Sequence, residues 1–129
     1  MLPAHLKLRS SQDFKTTMRR GRAARSRTLM VHVLVPGLSA HARDTVPTLV
    51  PRAPRFGLVV SKAVGNAVAR HATSRRLRHC LAALAATGVL PPGSQVVIRA
   101  FPPSATATSA ELAADLERAV AKALARGPQ

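Results

Sequence analysis

Leu112, Leu116, Val120 and Leu124 recur every four positions, and this spacing predicts an amphipathic helix with one apolar stripe packed on a sheet. Thr108 and Glu111 stand three apart just ahead of it, a capping-box pattern that starts the helix at Thr108. A shorter helix is expected over "SSQDFKTTMRRG", where Ser10 and Asp13 form the capping signature and Gly21 the stop. Phe14 and Met18, four apart, share one face of it. Apolar runs predict strands in three places. "RTLMVHVLVP" alternates, with His32 interrupting, and ends at Pro36. "RFGLVVS" is nearly all apolar and is expected to be buried on both faces. "SQVVIRAF" is closed by Pro102 and Pro103. Between the last two strands lies a helix over residues 67 to 86, with Asn66 as its N-cap and Gly88 as its stop, followed by a "PPG" turn.

This succession of helix, strands, helix, strand and helix predicts one α+β domain over residues 1–129, a sandwich of helices on a small sheet. The strand–helix–strand unit from 55 to 101 is expected, by the general rule, to cross over right-handed. Residues 1 to 9 read as a short basic arm. Residues 36–54 hold four prolines and no sustained period, which predicts an exposed, mobile loop; residues 126–129 read as a frayed tail. There is no internal repeat.

The helix at 67 to 86 has two unlike sides. Stepping about 100° per residue puts Thr73, Leu77, Cys80, Leu81 and Leu84 on one arc, the expected core face. His71, Ser74, Arg75, Arg78 and His79 fall on another. Arg70 is at the border, and Arg76 is at the far edge, where its stem can lie over apolar surface. No acid is available to pair these cations, since between Asp44 and Glu111 there are eight Lys or Arg and no Asp or Glu. Like charges on one helix repel, and a polyanion relieves that cost. Arginine predominates, and its fork suits phosphate oxygens. Lys62 stands at the end of the preceding strand, Gly65 lets backbone approach a ligand, and the helix N-terminus itself favours phosphate.

Composition points the same way. Twenty Lys and Arg against five Asp and Glu give the 129 residues a formal charge of +15. Solubility needs far less, so a polyanionic partner is expected rather than a merely solubilising surface. Nucleic acid fits better than an anionic membrane, because the helix lacks the large apolar wedge residues of a surface-lying helix. No apolar run is long enough to span a bilayer, and "MLPAHLKLRS" lacks the apolar core of a secretory signal. The single cysteine, Cys80, excludes an internal disulfide, fits a reducing compartment such as the cytoplasm, and reads as a small buried hydrophobe. Five scattered acids and histidines at 5, 32, 41, 71 and 79 offer no paired-carboxylate or metal-ligand spacing, so no catalytic residue and no metal ligand is assigned.

"GLVVSKAVGNAVARHATSRRLRHCL" resembles the signature region of the bacterial ribonuclease P protein subunit, with its Lys-x-x-Gly-Asn-Ala-Val run and the basic helix after it. "LRSSQDFKTTMRRGR" is similar to that family's opening, "VVIRAFP" to its last strand and "SATATSAELAADLERAV" to its closing helix; residues 36–54 stand apart as an insertion. His71, Ala72 and Ser74 depart from the family pattern, Arg75 and Arg78 match it, and Arg76 adds a charge. The resemblance implies a two-layer α+β sandwich of order α-β-β-β-α-β-α, with a left-handed crossover opposite to the general rule. It implies a protein cofactor of a catalytic RNA, which together remove the 5′ leader of precursor tRNA by metal-assisted hydrolysis, with Mg2+ held mainly by the RNA. Carried over by position, Lys62, Asn66, Arg70, Arg75, Arg76 and Arg78 become contacts to ribonuclease P RNA. Phe14, Met18 and His32 become the cleft that faces the leader; otherwise Phe14 and Met18 are core residues and His32 a partly buried strand histidine. The competing reading is a structural or ribosomal-type RNA binder with no part in cleavage. A DNA-binding module ranks below both, since no helix-turn-helix pattern is evident.

Overall fold

The computed structural model describes residues 6–8, 10–35 and 53–125. Its elements in chain order are α1 (Ser11–Arg20), β1 (Arg22–Arg25), β2 (Leu29–Leu34), β3 (Arg55–Val59), α2 (Ala67–Ala86), β4 (Gln95–Ala100) and α3 (Ser109–Ala125). Short 3-10 turns, Lys62–Val64 and Pro102–Ala105, precede α2 and α3. The three helices begin where their caps dictate. Ser10 Oγ accepts from the Asp13 N–H at 3.3 Å, and Asn66 Oδ1 from that of Ala69 at 2.9 Å. Thr108 and Glu111 exchange side-chain and backbone bonds at 2.9 and 3.1 Å, closing the capping box. Gly88, at φ +73, takes the left-handed conformation that ends α2.

The sheet order is β1-β2-β4-β3, mixed, with β1, β2 and β4 antiparallel in turn and β3 parallel to β4. The fold is thus α+β in the order α-β-β-β-α-β-α. β1 is the strand that the hydrophobic pattern does not announce. Arg22-Ala23-Ala24-Arg25 has no β-branched residue and buries only Ala24; it is a strand because the chain turns back at Ser26, whose N–H donates to Leu29 O at 2.8 Å, and pairs it with β2. β3 also differs from expectation. It is an edge strand, with Phe56 and Gly57 buried, Leu58 and Val59 half-buried and Arg55 exposed. Its outer edge is covered by Leu6–Leu8, where Leu8 N–H donates to Phe56 O at 2.8 Å, so this part of the expected basic arm is packed.

Strand alternation divides the core from the site. Leu29, Val31, Val33, Phe56, Val96 and Ile98 face α2 and α3 and join Leu77, Leu81, Leu84, Leu112, Leu116 and Val120 in one apolar core. The other face carries Ala23, His32, Val97 and Gly57 in one rung, and α1 lies across it. Asp115, buried on α3, accepts from Thr28 Oγ1 at 2.5 Å, which ties the β1–β2 turn to α3, and pairs with Arg118; the Thr28 bond, and after it Arg118, hold its carboxyl below the usual range against the opposing effect of burial. Arg22 Nη1 donates to Leu124 O at 3.2 Å near the end of α3. Most of the expected loop, 36–52, and the tail at 126–129 lie outside the described residues.

Candidate nucleic-acid interface

α2 buries Thr73, Leu77, Cys80, Leu81 and Leu84, the face its periodicity predicts. His71, Arg75 and His79 are exposed and Ser74 and Arg78 half-exposed on the side turned outward. Among the described residues no carboxylate comes within 4.0 Å of an α2 arginine; the ion pairs Arg27–Glu111, at 3.6 Å, and Arg118–Asp115 both involve acids of α3. Burial raises the pKa of the Cys80 thiol, which lies 3.6 Å from Ser109 O, so Cys80 belongs to the core.

The lead-in to α2 is built for close approach. Lys62 is exposed in the 3-10 turn that follows β3. Gly65 sits at φ +153, where a side chain would be strained, and a Cβ there would crowd the Ala69 methyl. Asn66 is exposed and already uses its amide oxygen as the cap. Two arginines are tied to backbone. Arg70 Nε donates to Val60 O at 3.1 Å, which fixes its stem beside the end of β3. Arg76 Nη2 donates to Ser104 O at 3.4 Å and Ala105 O at 3.1 Å, while its Nε is buried without a partner. Arg76 therefore reaches across to the Pro102–Ala105 turn, away from the row formed by Arg75 and Arg78.

Phe14, Met18 and His32 lie on the opposite layer, Phe14 over Gly57 of β3 and His32 two strands away on β2. Phe14 and Met18 are half-buried on α1, and His32 is buried on the sheet face that α1 overlies. Phe14 rests on Gly57, where any Cβ would overlap its ring. Thr17 Oγ1 donates to Gln95 Oε1 at 2.9 Å and anchors the same helix on β4. Both imidazole nitrogens of His32 are buried without a partner. Burial, and then the charge of Arg99, hold its pKa below the ordinary value, which keeps the ring neutral near pH 7. Sequence reasoning missed Gly57, although a glycine inside a strand pattern is a signal of close backbone approach. Arg25 and Arg99 also take this face, a placement that only strand register reveals.

Fold and site together define a small, strongly basic α+β protein with a cationic helix face on one layer and α1 lying over the opposite face of the sheet. The Ribonuclease P family matches residues 2–124. The ribonuclease P protein component of Corynebacterium glutamicum is 49% identical over 126 residues, covering 95% of each chain. That of Streptomyces griseus is 46% identical over 128 residues, covering 98% of each. Among solved structures, the Staphylococcus aureus RNase P protein aligns with a TM-score of 0.69 at 19% identity, over 92% of this chain and 94% of that one. The Thermotoga maritima protein aligns with a TM-score of 0.65 at 19% identity, over 87% and 92%. The chain belongs to the ribonuclease P protein family, whose members are protein components of an endoribonuclease of tRNA processing.

Proposed function

We propose that this protein is the RNA-binding cofactor of ribonuclease P, gripping the catalytic RNA with α2 and its lead-in and the 5′ leader of precursor tRNA with the groove under α1. The observation that carries the reading is the outward row of Arg75 and Arg78, continued by Lys62, Asn66 and Arg70, with no carboxylate beside it among the described residues. A row of guanidinium groups left without counter-charge gains most from phosphate. Arg76 contributes as the tie that holds α2 to the Pro102–Ala105 turn. In the groove, Phe14 offers a face on which a base can stack and Met18 an apolar contact, while His32, buried beneath α1, becomes a contact only where the strand or a shift of α1 uncovers its ring.

The chemistry belongs to the RNA in this reading. Among the described residues no three His, Cys, Asp or Glu side chains converge as a metal site. Magnesium is assigned to RNA phosphates, and no step is routed through the protein. The described helices include none long and apolar enough to cross a membrane.

Reconstitution tests the reading. The purified chain is mixed with a bacterial ribonuclease P RNA and a precursor tRNA at low magnesium, and leader removal is timed. Cleavage faster than with RNA alone is expected. RNA binding without stimulation would replace this reading with the structural RNA binder.

A further inference from the structure

The outermost line of α2 is occupied by His71, Arg75 and His79. They are four apart, so at about 100° per residue they form one column along the helix. Arg75 stands opposite the centre of the buried arc of Thr73, Leu77, Cys80, Leu81 and Leu84. All three are exposed, and Arg78 is half-exposed beside them. Among the described residues no carboxylate lies within 4.0 Å of either imidazole. The elements packed on α2 carry Lys62 in the turn ahead of it and, on α3, Glu111, Asp115, Glu117, Arg118 and Lys122. Glu111 is engaged by Arg27, and Asp115 by Thr28 and Arg118. The Pro102–Ala105 turn has no titratable side chain, and β2, β3 and β4 turn apolar side chains to the helix. On α2 itself the charged neighbours are all cations: Arg70, Arg75, Arg76 and Arg78. Two of these are tied back to backbone, Arg70 to Val60 O and Arg76 to the Ser104 and Ala105 carbonyls. Permanent charge on the outward line therefore rests on Arg75 and Arg78, and the other polar positions of its column are imidazoles.

We propose that His71 and His79 are two further phosphate contacts that take up protons as the RNA binds, so that the grip of α2 tightens as pH falls through neutrality. This rests on the RNA-binding reading of α2 given above and adds two residues and a proton linkage to it. Imidazole is the side chain whose charge changes between about pH 5 and 8, and adjacent phosphate favours the charged form. The imidazolium then donates an N–H to a phosphate oxygen in a charge-assisted bond. From His71 to His79 the helix rises roughly 12 Å, room for about three phosphates of one strand, with Arg75 on the middle one. The advantage lies in the free chain. At a formal charge of +15 it already repels itself, and two more permanent cations, each one turn from Arg75, would add like-charge repulsion along the helix. A group that gains its charge beside phosphate adds a contact without that repulsion.

The test measures the affinity of the whole chain for a bacterial ribonuclease P RNA at several salt concentrations and at pH values on both sides of neutrality. Proton uptake is read beside it by calorimetry in buffers of different ionisation enthalpy. Wild type is compared with H71Q, H79Q, the double glutamine variant, the double arginine variant H71R/H79R, and R75A. Wild-type affinity should rise roughly fivefold per histidine from the alkaline to the acid end. Its salt slope should steepen by about 0.7–0.9 per histidine over the same range, and binding near neutrality should take up protons. The double glutamine variant should lose most of the proton uptake and of the pH dependence, converging on wild type at the alkaline end. H71R/H79R should bind tightly at every pH. Wild-type affinity that stays flat with pH overturns the proposal, and so does a double glutamine variant that keeps the wild-type pH dependence. The R75A protein separates this failure from that of the underlying reading. R75A with wild-type affinity and salt slope would mean that α2 does not face RNA, and both would fall. R75A with weakened binding, beside an unaltered pH dependence in the double glutamine variant, would remove the histidines alone.

Discussion

Arg75 and Arg76 are adjacent in sequence and do different work. Among the described residues Arg75 is exposed without a partner, whereas Arg76 spends its guanidinium on the Ser104 and Ala105 carbonyls. Replacing Arg75 or Arg78 by alanine should flatten the salt dependence of RNA affinity by about one contact and leave thermal stability unchanged. Arg76→Ala should do the reverse, keeping the slope and costing roughly 1–3 kcal/mol in denaturant unfolding, because two carbonyls lose their donor. An Arg76→Ala protein with wild-type stability and a flattened slope would return Arg76 to the contact row. His32 yields a pH prediction. Its folded-state pKa lies below the ordinary 6.5, so the unfolded chain binds its proton more readily. The stability it contributes is present above pH 6.5 and is lost as pH falls below that value through the folded pKa. A melting series from pH 7.5 downward should show this decline in wild type and a shallower one in His32→Phe. Equal declines would assign the loss to other groups. Periodicity placed the core and basic faces of α2 correctly, but it could not tell which border arginine finds a backbone carbonyl across a turn.

α1 is positioned by one glycine. Phe14 can sit on β3 only because Gly57 has no Cβ. Gly57→Ala should therefore cost about 1–3 kcal/mol through overpacking, and adding Phe14→Leu should recover part of that loss. A Gly57→Ala protein as stable as wild type in urea would mean that α1 shifts freely on the sheet. The helices were legible because caps and periods are local: Ser10, Asn66 and the Thr108–Glu111 box each mark a start that the fold keeps. Two features were not legible, because neither is local. β1 is a strand through its pairing with Met30–Val33, and its own residues carry no strand pattern. α1 could have packed on either face; the choice depends on Gly57 and Gln95, which lie 43 and 78 residues away from Phe14 and Thr17 respectively.

Across the whole molecule, the charge of +15 is spread over both layers, with α2 on one side and Lys15, Arg19, Arg25 and Arg99 toward the other. Such a chain repels itself when compact, and a bound polyanion removes the repulsion. Adding a structured RNA should raise the melting temperature by several degrees at low salt, and the gain should shrink steeply as salt rises. A salt-independent gain would point to apolar contacts instead. The resemblance of the sequence to ribonuclease P proteins fixed the family, yet which side chains share each face of the sheet became visible only once strand register was known.

The position of β4 has a consequence for synthesis. It follows β1, β2 and β3 along the chain, and it must be inserted between β2 and β3, which do not pair with each other. Until Gln95–Ala100 emerges, the β1–β2 ribbon and β3 each keep an open backbone edge, and the βαβ unit cannot close. Closure of the sheet therefore waits for that strand, and a message broken upstream of it would yield a product unable to assemble its sheet.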